Sequence, residues 1–144
     1  LGPKTMWDAH RHPYIHTMEK MLELCRKVGP CTGLLLDSWH WFTAGESVDA
    51  IRRLRASDIV YVHINDAPAG VALDAQVDNC RCLPCATGVI PIGEFLRAVV
   101  DTGYEGPVVP EPFDASLAGL ADDEARVQKV GTTMRSAWSA GGFD

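Results

Sequence analysis

Three apolar segments of the sequence each end in side chains that can bind a metal ion or transfer a proton. These side chains are Asp37 and His40 in "LLLDSWHW", His63 in "VYVHINDAP" and Glu111 in "GPVVPEPF". Two carboxylates and an imidazole suit a divalent ion such as Mn²⁺, Mg²⁺, Co²⁺ or Zn²⁺. Taken singly, a strand-end Asp is often a helix N-cap, a strand His a core residue and a Glu between prolines a surface residue. Their repetition at three strand ends favours a shared site.

The elements that would position these residues alternate along the chain. Apolar spacing predicts helices over residues 13–28, 46–56, 91–102 and 120–139, and β-branched and aromatic runs predict strands over residues 33–40, 58–66 and 106–113. Residues 67–90 have no period and are predicted to form a long loop of the kind that is often functional. Repeated strand-then-helix order implies parallel strands whose carboxyl ends meet on one face. Asp37, His63 and Glu111 are therefore expected to converge.

The last predicted helix carries apolar residues at helical spacing that are expected to face the core. They are Val127, Val130, Met134 and Trp138.

Near the predicted site, Trp39 and Trp41 flank His40 and either close the end of the fold or form a wall for a sugar ring. Asp66 follows His63 at the end of the second strand and is a further candidate for substrate contact. His10, His12 and His16 precede or lie within the first helix and are interpreted as surface histidines.

Composition limits the classes of function. The 144 residues, 47% hydrophobic and 22% charged, are predicted to form one domain over residues 1–144. The net charge of −6 disfavours a nucleic-acid partner, because phosphate contacts need basic surface. No apolar run reaches the roughly 20 residues of a membrane span and no secretory signal is present, so a cytoplasmic protein without a membrane partner is the default expectation. The five cysteines are read as free thiols, since one tight "CRCLPC" cluster has no second ligand pair for structural zinc.

Four segments, "LLLDSWHW", "VYVHINDAP", "RCLPCATGVI" and "GYEGPVVPEPF", resemble in this order the sugar phosphate isomerase/epimerase family with the xylose isomerase-like barrel. The resemblance runs from about Gly2 to the end of the chain. Members of that family are (β/α)₈ barrels in which a Glu, an Asp, a His and a Glu at the ends of the last four strands hold a divalent metal ion. The resemblance implies that Asp37, His63 and Glu111 are metal ligands.

The resemblance also implies roles for residues beside the metal. His40 matches a histidine that touches the substrate, and Arg81 matches an arginine that binds substrate oxygen atoms. The sequence departs from the family at residues 84–88, which read Pro-Cys-Ala-Thr-Gly where the family has Pro-Gly-x-Gly. The first Glu ligand of the family has no counterpart within these 144 residues.

The implied fold is α/β, the C-terminal portion of a (β/α)₈ TIM barrel with about three βα units and a preceding helix. A complete barrel takes about 250 residues, and three parallel strands cannot close one. The open strand edges predict that the chain is stable only with company, either in a homo-oligomer or beside an upstream barrel segment. The isolated chain is expected to be incomplete and to have negligible isomerase activity, because the first Glu ligand, which is also the second acid/base group, is missing.

The implied activity is the metal-dependent isomerisation or epimerisation of a small sugar, sugar phosphate or polyol. The metal polarises a hydroxy-ketone, Glu111 acts as an acid/base group in forming an enediolate, and His40 and Arg81 hold substrate oxygens. One alternative is dehydration of an inosose or a dehydroshikimate-type ring on the same fold. Cleavage of apurinic sites is a third possibility that the acidic charge disfavours, and a non-catalytic fragment without a complete site is a fourth.

Overall fold

The computed structural model describes residues 15–111 and 113–143. The start of the first predicted helix, with His10 and His12, lies outside these residues. The helices and strands follow in the order α1 (Met18–Val28), β1 (Leu34–Asp37), α2 (Ser38–Thr43), α3 (Val48–Arg52), β2 (Ile59–Ile64), α4 (Ile92–Asp101), β3 (Val108–Pro110) and α5 (Asp123–Gly141). Short 3₁₀ turns span Ala56–Asp58, Leu73–Ala75 and Ala115–Leu117.

The three strands form one parallel sheet in the order β1-β2-β3. Asp37 is paired with His63, and Ile64 is paired with Pro110, so the carboxyl ends of all three strands lie along one edge. Within the described part of the chain, β1 and β3 each pair with β2 alone. The expected association with a second copy or an upstream segment therefore stays a prediction.

The core lies between the sheet and the helices. Leu34 and Leu36 of β1 are buried and pack in the same cluster as Phe95 and Val99 of α4. The alternate residue Leu35 is 47% exposed, as expected for the face that a complete barrel would enclose. On β1, the exposed set of alternating residues is therefore the one that contains Leu35.

The first predicted strand, over residues 33–40, is too long. It ends at Asp37, and helix α2 begins at Ser38 because the Asp37 carboxylate caps that helix. Asp37 Oδ1 accepts hydrogen bonds from the backbone N–H groups of Trp39, at 2.8 Å, and His40, at 3.0 Å. The N-cap role and a role in a site are therefore not exclusive, since only one carboxylate oxygen makes the cap.

The predicted inward face of the last helix is wrong in part. Val127 is 70% exposed and Trp138 39% exposed, whereas Ala137 is buried. Helix α5 approaches α4 closely at Gly93. A Cβ added at Gly93 would lie only 2.2 Å from the Ala140 carbonyl oxygen, so this contact needs a residue without a side chain. Met134, which was also predicted to face inward, is partly buried against the core cluster. Among the residues described, no helix has both the length and the apolar character to cross a membrane.

Candidate metal centre

The ligand atoms of Asp37, His63 and Glu111 all lie within 4.8 Å of one another. His63 Nδ1 is 3.7 Å from Asp37 Oδ2 and 3.5 Å from Glu111 Oε2. Two bonds of roughly 2.0–2.4 Å to a common ion place donor atoms at separations of this size. The structure thus brings together the three residues that the sequence singled out, and the donor set fits a divalent ion. Elsewhere in residues 15–111 and 113–143 no further group of metal-binding side chains lies so close together, and all five cysteines are free.

Asp37 is held so that one oxygen faces the cluster. Its side chain is buried, and Oδ1 is fixed by the N-cap contacts to helix α2. Oδ2 is the atom that approaches His63 and accepts hydrogen bonds from neighbouring side chains. Capping therefore orients the carboxylate, because rotation that moved Oδ2 away from the cluster would break two backbone hydrogen bonds.

Asn65 connects the strand ends and was not anticipated from the sequence. It is fully buried, its Nδ2 donates to Asp37 Oδ2 at 3.4 Å, and its Oδ1 accepts from the backbone N–H of Glu111 at 3.1 Å. Its own backbone N–H donates to Ser38 Oγ, which donates in turn to the Asn65 carbonyl, both at 2.8 Å. The Asn65 amide thereby links Asp37 and Glu111 across the sheet. Its position in "HIND", at the end of β2, was the available signal.

Arg81 places its guanidinium between the two carboxylates. Its side chain is only 2% exposed, and Nη1 lies 3.0 Å from Asp37 Oδ2 and 2.6 Å from Glu111 Oε2. The group also lies 4.9 Å from the centre of the Trp39 ring. Burial works against the charge, but the attraction of Asp37 and the bonds to Asp78 outweigh it and raise the pKa of Arg81. A buried, charged arginine therefore already neutralises this cluster.

Asp78 holds the opposite edge of the same guanidinium. Arg81 Nε donates to the Asp78 carbonyl oxygen at 2.9 Å and to Asp78 Oδ1 at 3.0 Å, and Nη2 contacts the same Oδ1. Asp78 lies in the long loop that the sequence predicts to be functional. Its pairing with Arg81, three residues later, has no periodic pattern in the sequence, so the residue could not be identified in advance.

His40 lies next to the cluster with a partly exposed ring. Its Nε2 is 3.0 Å from Arg81 Nη2. Burial lowers the pKa of His40, and the attraction of Asp37 does not offset it. Because a guanidinium has no acceptor atom, a hydrogen bond between the two groups requires His40 Nε2 to accept, with the ring proton on Nδ1. Within the described residues, buried His40 Nδ1 and buried Trp39 Nε1 have no hydrogen-bond partner.

Two residues predicted to contact substrate, Trp39 and Asp66, are buried in the structure. Trp39 has no exposed surface, and its ring packs under Arg81 and edge-on to His40, so it supports those side chains instead of forming an open wall. Asp66 has no exposed surface either. Its oxygens accept four backbone hydrogen bonds, from Ala67, Thr87, Gly88 and Ile90. The Asp66 carboxylate therefore organises a loop, and its role toward a substrate stays a prediction.

The loop that Asp66 holds contains the departure from the family sequence. Cys85 has a φ of 60°, a left-handed conformation that favours glycine. It stands where the resembled family has the first glycine of Pro-Gly-x-Gly.

The open aromatic side chain of the site is Phe113, which is 46% exposed and lies 5.2 Å from the Arg81 guanidinium. Phe113 follows Glu111 by two positions and was not chosen from the sequence.

Residues 2–135 match the family described as the xylose isomerase-like TIM barrel, and the chain belongs to this family. The structure is a parallel α/β portion of that fold. It superimposes with a TM-score of 0.80 on a xylose isomerase domain protein from Alicyclobacillus acidocaldarius, at 32% identity, over 97% of this chain and 49% of the other. It also matches the IOLI protein with a bound zinc atom, with a TM-score of 0.76 and 25% identity, over 87% of this chain and 44% of the other.

Two kinds of characterised enzyme are similar in sequence. The 3-dehydroshikimate dehydratase of Pseudomonas putida is 31% identical over 111 residues, which are 75% of this chain and 16% of that enzyme. The inosose isomerase of Halalkalibacterium halodurans is 27% identical over 139 residues, which are 92% of this chain and 48% of that enzyme. The chain thus spans about half the length of the isomerase and a smaller share of the dehydratase.

Proposed function

We propose that this chain supplies part of the active site of a divalent-metal-dependent isomerase or epimerase that acts on a small sugar, sugar phosphate or polyol. The observation that carries the proposal is the grouping of Asp37, His63 and Glu111, whose ligand atoms lie within 4.8 Å of one another at the carboxyl edge of a parallel sheet. Sites of this fold form at that edge. The inosose isomerase relative and the zinc atom bound to the IOLI protein support the reading.

The roles of the side chains follow from their exposure and charge. A divalent ion, when bound, would polarise a substrate carbonyl and acidify the neighbouring C–H. Asp37 is buried and fixed at both oxygens, which suits a ligand and not a proton carrier. Glu111 has 34% of its side chain exposed and is the carboxylate that a substrate proton can reach. Glu111 is therefore the proposed acid/base group, and His40 and Arg81 are the proposed groups that bind substrate oxygens.

A dehydratase is the second candidate, and the similarity to 3-dehydroshikimate dehydratase favours it. The same residues would serve both reactions, since each begins with removal of a proton next to a carbonyl group. The reactions then differ in outcome: an isomerase returns the proton at another position, and a dehydratase expels a hydroxyl group as water.

Metal titration tests the shared part of the proposal. Calorimetry of the protein with Mn²⁺ and Zn²⁺ should show binding that Glu111→Gln weakens by at least about tenfold, because the substitution removes one charged ligand. Glu105→Gln is the matched control, since Glu105 is exposed and outside the cluster. Equal affinity of the two variants would overturn the metal centre.

Product analysis separates the reactions. Incubation of the metal-loaded protein, within a complete barrel that also carries the upstream strands, with ketoses, inososes and 3-dehydroshikimate should give a product of unchanged mass from a ketose or inosose if the isomerase proposal holds. A product lighter by one water supports the dehydratase instead. Absence of any product from a complete barrel that binds the metal would support the non-catalytic alternative.

A further inference from the structure

The oxygens that would bind the metal ion are the ones that Arg81 contacts. Nη1 lies 3.0 Å from Asp37 Oδ2 and 2.6 Å from Glu111 Oε2. These same two oxygens are the atoms nearest to His63 Nδ1, at 3.7 Å and 3.5 Å. A divalent ion shared by the three ligands would therefore sit against the Nη1 edge of the guanidinium. Two cations at such short range repel strongly, most of all in a buried cluster.

The guanidinium has a second set of contacts that does not involve the ligands. Asp78 engages Nε and Nη2 through its carboxylate and its carbonyl oxygen. Arg81 and Asp78 lie in the same loop, three residues apart. Cys82, the next residue, exchanges two backbone hydrogen bonds with Asp66, so displacement of the guanidinium from Asp37 and Glu111 would be a movement of the side chain that keeps the pair with Asp78. Such a movement would leave the buried arginine with one anionic partner, and would not strand its charge.

We propose that Arg81 is a resident counter-cation of the ligand cluster, positioned by Asp78, and that the divalent ion binds in competition with it. The inference rests on the proposed metal centre and adds a coupling that the centre does not require. Without the ion, Nη1 neutralises Asp37 and Glu111, which would otherwise repel each other. A bound ion would take the place of Nη1 at both oxygens and leave the guanidinium to Asp78 and to substrate oxygens. Metal affinity is lowered by the free energy needed to break these contacts.

If Arg81 and the metal ion compete for the same oxygens, removal of the Arg81 charge should raise the metal affinity. Arg81→Met keeps most of the side-chain length and removes the charge, so Zn²⁺ and Mn²⁺ should bind at least about tenfold more tightly than to the unsubstituted protein. Arg81→Lys, which retains the charge without the planar fork, should fall between the two. Affinity that is unchanged or weaker in Arg81→Met would overturn the competition.

Movement is tested on the unsubstituted protein, so the result does not depend on the folding of a variant. Phenylglyoxal modifies accessible arginines, and mass spectrometry can follow each residue separately. Arg81, with 2% of its side chain exposed, should react slowly without metal and at least fivefold faster at saturating Zn²⁺. The exposed Arg53 is the control and should react at the same rate in both conditions. Unchanged or slower modification of Arg81 would show that the guanidinium stays in place.

The two tests separate this inference from the proposed function. If the unsubstituted protein binds metal but Arg81 neither gains reactivity nor opposes binding, the metal centre stands and the counter-cation role fails. If neither the unsubstituted protein nor Arg81→Met binds metal, both proposals fail together.

Discussion

Asp37 and His63 are direct partners in the parallel pairing of β1 and β2, and His63 Nδ1 lies 3.7 Å from Asp37 Oδ2. The register of the two strands therefore places both donors on one face. A slip of one residue would send one side chain to the opposite face of the sheet. Glu111 completes the cluster from the position directly after β3, where the Asn65 amide holds its backbone N–H.

Asp37→Asn separates the charge of Asp37 from its capping role. Asn is about as good an N-cap as Asp, so helix α2 should persist. The metal affinity should fall by at least about tenfold, because a negative ligand becomes neutral. Without metal, the free energy of unfolding should fall by about 1–3 kcal/mol, since Arg81 loses a charged acceptor. Calorimetry and urea denaturation measure the two effects.

The exposed Asp74 supplies the control for Asp37→Asn. Asp74→Asn should change neither the metal affinity nor the free energy of unfolding. If Asp37→Asn left the metal affinity unchanged but destabilised the protein, Asp37 would be a structural cap and not a ligand.

Asp66→Asn should destabilise the protein more than it alters a ligand site. Three of the four backbone N–H groups that donate to Asp66 belong to residues 87–90, and the fourth is that of Ala67. An Asn amide would turn its N–H₂ group toward two of these donors, and unsatisfied buried donors cost about 1–3 kcal/mol. The urea midpoint should therefore fall clearly, whereas Asp74→Asn should leave it unchanged. Normal stability with weakened substrate binding would instead restore the substrate role that the sequence suggested.

The sequence predicts those site residues whose positions follow from the strands that carry them. Asp37, His63 and Glu111 could be found because apolar runs mark the strands, and parallel strands bring their ends to one edge. Asn65 and Asp78 could not, because their roles consist of hydrogen bonds between segments that are distant in the chain or lie in an aperiodic loop. A polar residue after a strand can turn toward a site or back into a loop, and local pattern does not decide between them.

The same limit explains the error in the last helix. Helical spacing identifies an apolar stripe in α5, but it does not show which neighbour the stripe meets. The close contact with α4 is made through Gly93 and Ala140, whose small size carries no hydrophobic signal. The exposed Val127 and Trp138 lie outside that contact.

Gly93→Ala tests the close packing of α4 against α5. Ala is favoured over Gly in a helix by about 1 kcal/mol, so helix propensity alone predicts stabilisation. The new Cβ would lie 2.2 Å from the Ala140 carbonyl oxygen, and the helices would have to separate. A loss of about 1–3 kcal/mol is expected from this overpacking. Gly119→Ala is the control, because a Cβ there would contact nothing within 4 Å. Equal melting temperatures for the two variants would contradict the packing argument.

Asp58 is expected to make stability depend on pH at the end of the sheet opposite the metal ligands. Its carboxylate accepts hydrogen bonds from the Arg55 backbone N–H at 3.0 Å, Nε at 3.3 Å and Nη2 at 2.9 Å. The hydrogen bonds from the Arg55 side chain lower the pKa of Asp58 and outweigh the effect of burial. A lowered pKa in the folded state means that the charged form stabilises the fold.

The direction of the pKa shift of Asp58 determines the pH range in which its carboxylate stabilises the fold. The stabilisation is fully present above the unfolded pKa of Asp, about 3.9, and disappears as the pH falls through the lower folded value. Asp58→Asn should therefore cost about 1 kcal/mol at pH 7, a modest figure because Arg55 has 70% of its side chain exposed to solvent. In urea titrations the deficit of the variant should persist at pH 5 and shrink toward zero below the folded pKa. A deficit that stayed constant into strong acid would show that Asp58 acts through shape or neutral hydrogen bonds, and not through its charge.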